Sequence, residues 1–408
     1  MNEKEVIEKL YNSRHNLIVD GNIGCGKSTC IMFPFLAKMI KAKENFLIVD
    51  NKYEYYKKYY RQLKKANYEI TIIDFRNPKQ SNYWNPLYIP YQFYLNNDID
   101  SCVEELQSLF KTLLTSFEDK KMPLLESVQL LTGLSLLLFQ EGTNKEIHLA
   151  SLSEMLNTLN NNWIIIQEYL ENMPNSTIKK YLNTLLNLHG PKKEDFIIKN
   201  SQILNQLTNK SKICKILSQS EETDEKKAKA IFLIPSIIDY ESNIFINCYI
   251  AQLHNKISKK TNKNFFTFII DDTENLPIYR NIEKHLIYSN YLKSRWILGT
   301  RSVENLKMIY GNILENLCDY VKISKTDIDY KIENLQGKID REWQLEDMNE
   351  EKITYPTIDN KNIPLFSWKH LISKKEKESK KSNINEKEIN QLISKINNNF
   401  ELLEPEEK

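Results

Sequence analysis

The sequence predicts an α/β protein whose mainly parallel sheet is interrupted by an all-helical insertion. Short apolar runs alternate with helical patterns over residues 15–75, and apolar runs resume after residue 228. This alternation is typical of a parallel sheet covered by helices on both faces. Between about 97 and 222 the apolar residues recur at steps of three and four, which indicates helices only.

Each predicted element rests on its own local pattern. Continuous apolar runs predict strands at 17–19, 46–50, 68–75, 230–234, 265–271, 296–300 and 320–324. Helical periodicity predicts helices at 1–14, 28–41, 53–65, 98–117, 123–139 and 176–188. A capping pattern predicts a further helix start at Ser151, and Gly190-Pro191 predicts a helix end. Pro34 is expected to bend the helix that contains it, and residues 77–90 are predicted to form an ordered loop.

The composition limits the class of protein. A chain of 408 residues with 41% hydrophobic residues fits two domains, or one large domain with an insertion. The net charge of +2 excludes a general polycation, so any contact with nucleic acid is expected to be local. The six scattered cysteines predict reduced thiols. The longest apolar stretch is near ten residues and no signal peptide opens the chain, so we expect a soluble, cytoplasmic protein.

A phosphate-binding loop follows the first predicted strand. Gly21, Gly26, Lys27 and Ser28 fit G-x-x-x-x-G-K-[ST], and a predicted helix begins at Ser28. Backbone N–H groups of such a loop face phosphate oxygens, its Lys reaches the β- and γ-phosphates, and its Ser ligates Mg²⁺. The predicted nucleotide-binding residues are Gly21, Asn22, Ile23, Gly24, Cys25, Gly26, Lys27, Ser28 and Thr29.

An acidic pair ends the apolar run at 265–270 and supplies the second half of a nucleotide site. Asp271 is predicted to hold Mg²⁺ together with Ser28, because such sites place a carboxylate at the tip of a neighbouring strand. Asp272 is the candidate for orienting or activating the attacking water. The predicted cofactors are therefore ATP and Mg²⁺.

Several further segments resemble, in order, conjugative type IV coupling proteins of the TraG/TraD kind. Residues 50–54, Asp-Asn-Lys-Tyr-Glu, resemble the D-P-K-G-E signature that follows the second strand of that family. Residues 81–87, Ser-Asn-Tyr-Trp-Asn-Pro-Leu, resemble its S-x-x-(Y/F)-N-P-L segment. The acidic strand end and the segments at 298–302, 310–312 and 316–319 also resemble segments of that family. The resemblance covers about residues 16–338.

The resemblance implies a RecA-like P-loop ATPase that hexamerises around DNA, with ATP between subunits. The pattern along the chain predicts a nucleotide-binding domain over 1–96 and 228–338, a helical insertion domain over 97–227 and a C-terminal extension over 339–408 with a mobile charged tail. The family's N-terminal membrane helices are not seen. The expected function is therefore to move or deliver DNA for a mobile element, with a relaxase and a separate membrane-channel partner that recruits the chain.

Two predicted catalytic positions depart from the family pattern. Asp272 replaces a Glu and is one methylene shorter, and a shift of about 1 Å in such a group can cost about 100-fold in rate. Glu274 is a possible substitute, from an unfavourable direction. Arg301 replaces a Gln, and two roles stay open for it: gripping phosphate or pairing with a carboxylate. Lys293 and Arg295 are either near an arginine-finger position or simple surface charges.

Two alternative functions and an unlocated DNA site complete the predictions. The chain is alternatively a hydrolysis-impaired nucleotide-binding scaffold that works through assembly, or a HerA/FtsK-like packaging or processing motor. Residues 57–65 mix Lys and Arg with Tyr, the composition of a strand-binding face. The solvated side of an amphipathic helix explains this pattern better, so the sequence locates no DNA site.

Overall fold

A single mixed sheet, seen in a computed structural model, organises the described part of the chain. The model describes residues 2–117, 123–159, 163–172, 176–221, 226–259, 264–332, 335–340, 353–359 and 361–368. In chain order the strands are β1 Leu17–Asp20, β2 Asn45–Val49, β3 Glu69–Asp74, β4 Lys229–Ile234, β5 Phe266–Ile270, β6 Ser294–Thr300, β7 Asp319–Ile323, β8 Asp327–Ile332 and β9 Leu335–Asp340. The order across the sheet is β3-β4-β2-β5-β6-β1-β7-β8-β9.

All pairs from β3 to β7 are parallel, whereas β7, β8 and β9 form an antiparallel meander. The seven predicted strands are confirmed to within two residues of their ends, and the predicted α/β class is confirmed. Strands β8 and β9 are not among the predicted strands, because each contains only a short alternation of apolar and polar residues and no continuous apolar run. The predicted tail beyond residue 368 lies outside the described residues.

Helices cover the sheet and build the block between β3 and β4. In chain order they are α1 Glu3–Ser13, α2 Phe33–Ala42, α3 Glu54–Lys65, α4 Tyr88–Leu95, α5 Ile99–Ser116, α6 Leu124–Glu141, α7 Leu149–Leu159, α8 Trp163–Asn172, α9 Ser176–Asn187, α10 Gly190–Thr208, α11 Ser211–Ile216, α12 Ile244–Lys259, α13 Ile282–Tyr288, α14 Val303–Tyr310 and α15 Ile313–Leu317. Helix α4 begins inside the segment that was predicted to be a loop.

Apolar side chains fill both faces of the sheet. Along β2, Phe46 and Ile48 belong to a first hydrophobic cluster, which also contains residues of α1, α2 and α3. Leu47 and Val49 belong to a second cluster on the opposite face. Successive side chains of a strand point to opposite faces, so a continuous apolar run is needed when both faces are covered. The second cluster continues without a break into helices α5 to α11. The division into a core and an insertion domain therefore stays a prediction.

Three local predictions about helices need correction. The predicted helix from Ser28 opens with a π-helical turn over Ser28–Met32, so Pro34 lies in the first turn of α2. A missing N–H is tolerated there, which explains the position of the proline. The predicted capping pattern is wrong, because α7 begins at Leu149 and the His148 ring accepts from the Ser151 N–H at 3.3 Å. Helix α9 ends at Asn187, and Gly190-Pro191, the predicted helix end, begins α10.

The segment 81–87 ties the sheet to the helical block. The Asn85 side chain donates a hydrogen bond to the Ile147 carbonyl at 2.5 Å. The Pro86 carbonyl accepts one from the Gln252 side chain on α12 at 2.7 Å. Both donors are buried, so each bond satisfies a polar group that water cannot reach. This segment therefore holds the helical block and α12 together through buried hydrogen bonds.

A buried carboxylate at the end of β2 starts helix α3. Asp50 Oδ1 accepts from the Glu54 N–H at 3.0 Å, and Oδ2 accepts from Tyr55 and Tyr56 at 3.0 and 3.3 Å. These are backbone donors that the first turn of a helix cannot satisfy internally. Burial nevertheless raises the pKa of Asp50 to about 7. The position of α3 therefore depends on one side chain that follows a strand.

A buried arginine on β6 lies beneath α1 and α2. Arg295 is 0% exposed, donates to the Tyr11 carbonyl at 2.9 Å, and places its guanidinium 4.9 Å from the centre of the Tyr11 ring. It also lies 5.2 Å from the ring of Phe35. The cation is stabilised here by aromatic faces and a carbonyl, which makes it part of the packed core.

We expect Asp50→Asn to lower the free energy of unfolding by about 2 kcal/mol, because an amide offers one acceptor oxygen and points its NH₂ at backbone donors. Urea denaturation monitored by circular dichroism measures this change. Asp98→Asn is the matched control, since Asp98 caps α5 at the surface and Asn caps helices equally well. Equal stabilities for the two variants would contradict the assigned role of Asp50.

We expect Arg295→Ala to cost about 2–4 kcal/mol of stability, because it leaves a cavity among aromatic rings and an unpaired Tyr11 carbonyl. The neighbouring exposed Lys293 provides the control, and Lys293→Ala is expected to stay within about 0.5 kcal/mol of wild type. Thermal unfolding of both variants tests this. A fully stable Arg295→Ala protein would show that the core does not depend on this side chain.

Candidate nucleotide site

The phosphate loop connects β1 to the π-helical turn at the carboxyl edge of the sheet. Its first residue, Gly21, donates its N–H to the Thr300 carbonyl on β6 at 3.1 Å. A Cβ at Gly21 would lie 2.4 Å from Cys25 Sγ and 2.8 Å from the Ile323 carbonyl, so only glycine fits this close approach. Gly26 has φ +93°, a left-handed conformation that favours glycine. The loop is therefore tightly anchored to the two strands that flank β1.

The lysine of the motif is buried and points back into the loop. Lys27 Nζ donates to the Gly21 carbonyl at 2.7 Å and lies 3.3 Å from Asp272 Oδ1. Thr29 is exposed and its hydroxyl donates to the Gly26 carbonyl at 3.0 Å. Of the other predicted nucleotide-binding residues, Cys25 and Ser28 are buried, Gly26 is half-buried, and Asn22, Ile23 and Gly24 are exposed.

The predicted magnesium-binding carboxylate stands directly after β5 and is wholly buried. The Tyr55 hydroxyl donates to Asp271 Oδ2 at 2.9 Å. Asp271 Oδ1 has no hydrogen-bond partner among the described residues. Burial, and next the charge of Asp272, raises the pKa of Asp271 to about 6. A buried carboxylate oxygen without a partner is costly, and a hard cation is the kind of ligand that would satisfy it.

The second carboxylate lies between two lysines. Asp272 has φ +51°, a left-handed backbone conformation directly after Asp271. Its Oδ1 lies 3.3 Å from Lys27 Nζ and its Oδ2 lies 3.9 Å from Lys52 Nζ. Lys52 is about half exposed, at 49%, whereas Asp272 is buried. The structure therefore brings the phosphate-loop lysine and the predicted water-orienting carboxylate into direct ionic contact.

Glu274 and Arg301 form a separate cluster at the end of β6. Glu274 accepts from the Arg301 backbone N–H at 2.8 Å and from the Thr300 hydroxyl. The Arg301 guanidinium donates to the Asn275 side-chain oxygen at 3.1 Å. Glu274 is thus held toward β6, and Arg301 pairs with an amide oxygen. Phosphate binding by Arg301 stays a prediction.

The two arginine-finger candidates have different positions, and Arg295 fits neither of the two predicted roles. Arg295 is enclosed in the core, so it is neither a surface charge nor able to reach a neighbouring subunit. Lys293 is exposed. On α3 the predicted solvated side is confirmed: Lys57, Arg61 and Lys65 are exposed, while Tyr59 is buried. Of the two tyrosine rings in this segment, Tyr59 faces the core and Tyr60 is half-buried against it.

Three residues of the site were not singled out as site residues from the sequence: Asp50, Lys52 and Tyr55. All follow β2, which pairs in parallel with β5 so that Val49 lies beside Ile270. Parallel neighbours end at the same edge of a sheet, which brings the residues after each strand together. For Asp50 and Lys52 the motif at 50–54 carried a signal, but the neighbouring position of the two strands is not visible in the sequence.

The site has the parts that a nucleotide with Mg²⁺ requires. Mg²⁺ uses one or two protein oxygens together with phosphate oxygens and water, and the unpartnered Asp271 Oδ1 beside the phosphate loop fits that use. Within the described ranges, no group of three or more His, Cys, Asp or Glu side chains is placed to hold a metal by itself. In the same part of the chain, every helix is too short or too polar to span a bilayer.

Comparisons with known proteins agree with this geometry. The chain is similar in fold to the bacterial conjugative coupling protein TrwBdeltaN70 in complex with sulphate, at 12% identity and TM-score 0.54, over 80% of this chain and 77% of that one. It is also similar to the plasmid coupling protein TrwB in complex with the non-hydrolysable ATP analogue ADPNP, at 14% identity and TM-score 0.55, over 76% and 70%. These likenesses confirm the predicted RecA-like fold.

No curated protein matches the chain. A family model, however, covers more than half of the sequence. The model of the family described as type IV secretory system conjugative DNA transfer matches residues 6–228, which include the phosphate loop, the segments at 50–54 and 81–87, and the helical block. The predicted resemblance to coupling proteins is therefore confirmed, and the chain belongs to the type IV secretory system conjugative DNA transfer family.

Proposed function

We propose that the chain binds ATP with Mg²⁺ at the phosphate loop and hydrolyses it to move or deliver DNA. The observation that carries the proposal is the contact between Lys27 and Asp272, which joins the loop after β1 to the acidic end of β5. A phosphate-loop ATPase needs these two places side by side. The proposed phosphate-binding residues are Gly21, Asn22, Ile23, Gly24, Cys25, Gly26, Lys27, Ser28 and Thr29.

The proposed roles follow from the charges in the site. Lys27 exchanges its contacts with Asp272 and the Gly21 carbonyl for the β- and γ-phosphates, so its buried charge stays paired throughout. Ser28 and Asp271 hold Mg²⁺, which neutralises phosphate charge when bound. Asp272, released from Lys27, is then free to orient the attacking water. Arg301, next to the strand residue that anchors Gly21, is the proposed phosphate-sensing group.

The solved TrwB structures support the choice of nucleotide. One contains the ATP analogue ADPNP, and another contains ADP and Mg²⁺, at 12% identity and TM-score 0.50 over 76% of this chain and 70% of that one. We propose the same ligands for this chain. DNA contact by the helical block, assembly into a hexamer, and recruitment by a relaxase and a separate membrane channel are proposed from family membership.

We expect Lys27→Ala to weaken ATP binding by about 10-fold or more, because a charge-assisted contact worth about 1.5–3 kcal/mol is lost. Fluorescence titration with a labelled ATP analogue measures the affinity. The control is Lys41→Ala, which removes an exposed lysine from the last turn of the same helical segment. An unchanged affinity in Lys27→Ala would refute the proposed site.

We expect Asp272→Asn to lower ATP turnover by about 100-fold or more while ATP still binds, because an amide cannot accept a proton from water. Phosphate release measured with and without single- and double-stranded DNA gives the rate. Asp327→Asn, on the β8–β9 hairpin, provides a control with the same chemical change. Wild-type turnover no faster than that of Asp272→Asn would instead support the hydrolysis-impaired scaffold.

A further inference from the structure

A tyrosine contacts the proposed magnesium-binding carboxylate. Tyr55 is fully buried, and its hydroxyl donates to Asp271 Oδ2 at 2.9 Å. A side chain of α3 therefore contacts the carboxylate that follows β5.

The direction of this hydrogen bond leaves one carboxylate oxygen available to a cation. A carboxylate only accepts, so the Tyr55 proton points to Asp271 Oδ2. Asp271 Oδ1 has no partner among the residues that the structure describes. A carboxylate oxygen is the kind of ligand that Mg²⁺ prefers.

The Tyr55 ring is held rigidly in this position. It packs edge-on against Phe33 of α2, with 5.3 Å between ring centres. Its backbone N–H is held by Asp50 at 3.0 Å, at the first turn of α3. The hydroxyl cannot move away without shifting the helix, so the carboxylate of Asp271 is oriented before any ligand arrives.

A neighbouring tyrosine shows what an ordinary buried hydroxyl does in this fold. Tyr59 lies one turn further along α3, is also buried, and donates to the backbone carbonyl of Phe33 at 2.8 Å. That bond satisfies a polar group in the core and touches no site residue. Tyr55 instead uses its hydroxyl on the carboxylate of the proposed magnesium ligand.

We propose that Tyr55 is a positioning residue for Mg²⁺, which orients Asp271 through Oδ2 so that Oδ1 is presented to the ion. This inference rests on the proposed nucleotide site. Partners that orient metal ligands in this way typically change metal affinity by about 10–100-fold when removed. The sequence motif offers no hint of this role, since Tyr55 lies just after its last residue.

The test compares Tyr55→Phe with Tyr59→Phe, which remove one buried hydroxyl each from the same helix. Binding of a labelled ATP analogue is titrated with free Mg²⁺, and again in EDTA. We expect Tyr55→Phe to raise the Mg²⁺ midpoint about 10-fold or more, with unchanged affinity in EDTA. Tyr59→Phe is expected to match wild type in both titrations.

Three outcomes would overturn the inference. An unchanged Mg²⁺ midpoint in Tyr55→Phe would show that the hydroxyl does not position the ligand, and a lowered midpoint would show that it competes with the ion. A loss of affinity in EDTA would assign Tyr55 a structural role in the loop. Failure of the wild-type chain to bind the nucleotide is a distinct result, because it would overturn the proposed function and this inference with it.

Discussion

The parallel pairing of β1, β2, β5 and β6 is the constraint on which the rest of the structure depends. Parallel strands end at one edge of a sheet, so whatever follows each strand converges there. The phosphate loop follows β1, Asp50 follows β2, Asp271 follows β5 and Arg301 follows β6. The bond from Gly21 to Thr300 fixes the loop to this edge. The topology of one sheet thus brings four distant segments to the same edge.

Burial sets the electrostatics of this edge. Lys27 and Asp272 neutralise each other at 3.3 Å, and charges removed from water require such a partner. Burial, and next the like charge of Asp272, raises the pKa of Asp271 despite the hydrogen bond from Tyr55. The protein therefore keeps one carboxylate incompletely compensated next to a loop built for phosphate. An incompletely compensated carboxylate suits the proposed site, where Mg²⁺ and a phosphate would bind together.

The helical block is tied to the same framework. The helices between β3 and β4 share one hydrophobic cluster with a face of the sheet, and the segment 81–87 bonds to the helical block through Asn85 and to α12 through Pro86. Helix α3 is started by Asp50 at the site itself. The edge of the sheet that carries the phosphate loop therefore contacts α3 directly through Asp50. Helix α12 contacts the segment 81–87 at Pro86.

The sequence by itself determined the α/β class, seven strands, the phosphate loop, the acidic pair and the family, because these are carried by contiguous patterns. Tertiary structure alone decided which strands are neighbours, and hence that Asp50, Lys52 and Tyr55 join the site. It also decided that Arg295 is a core residue, since burial depends on what packs from α1 and α2. Side-chain partners separated by more than 200 positions, such as Tyr55 and Asp271, leave no local signal that periodicity or spacing can reveal.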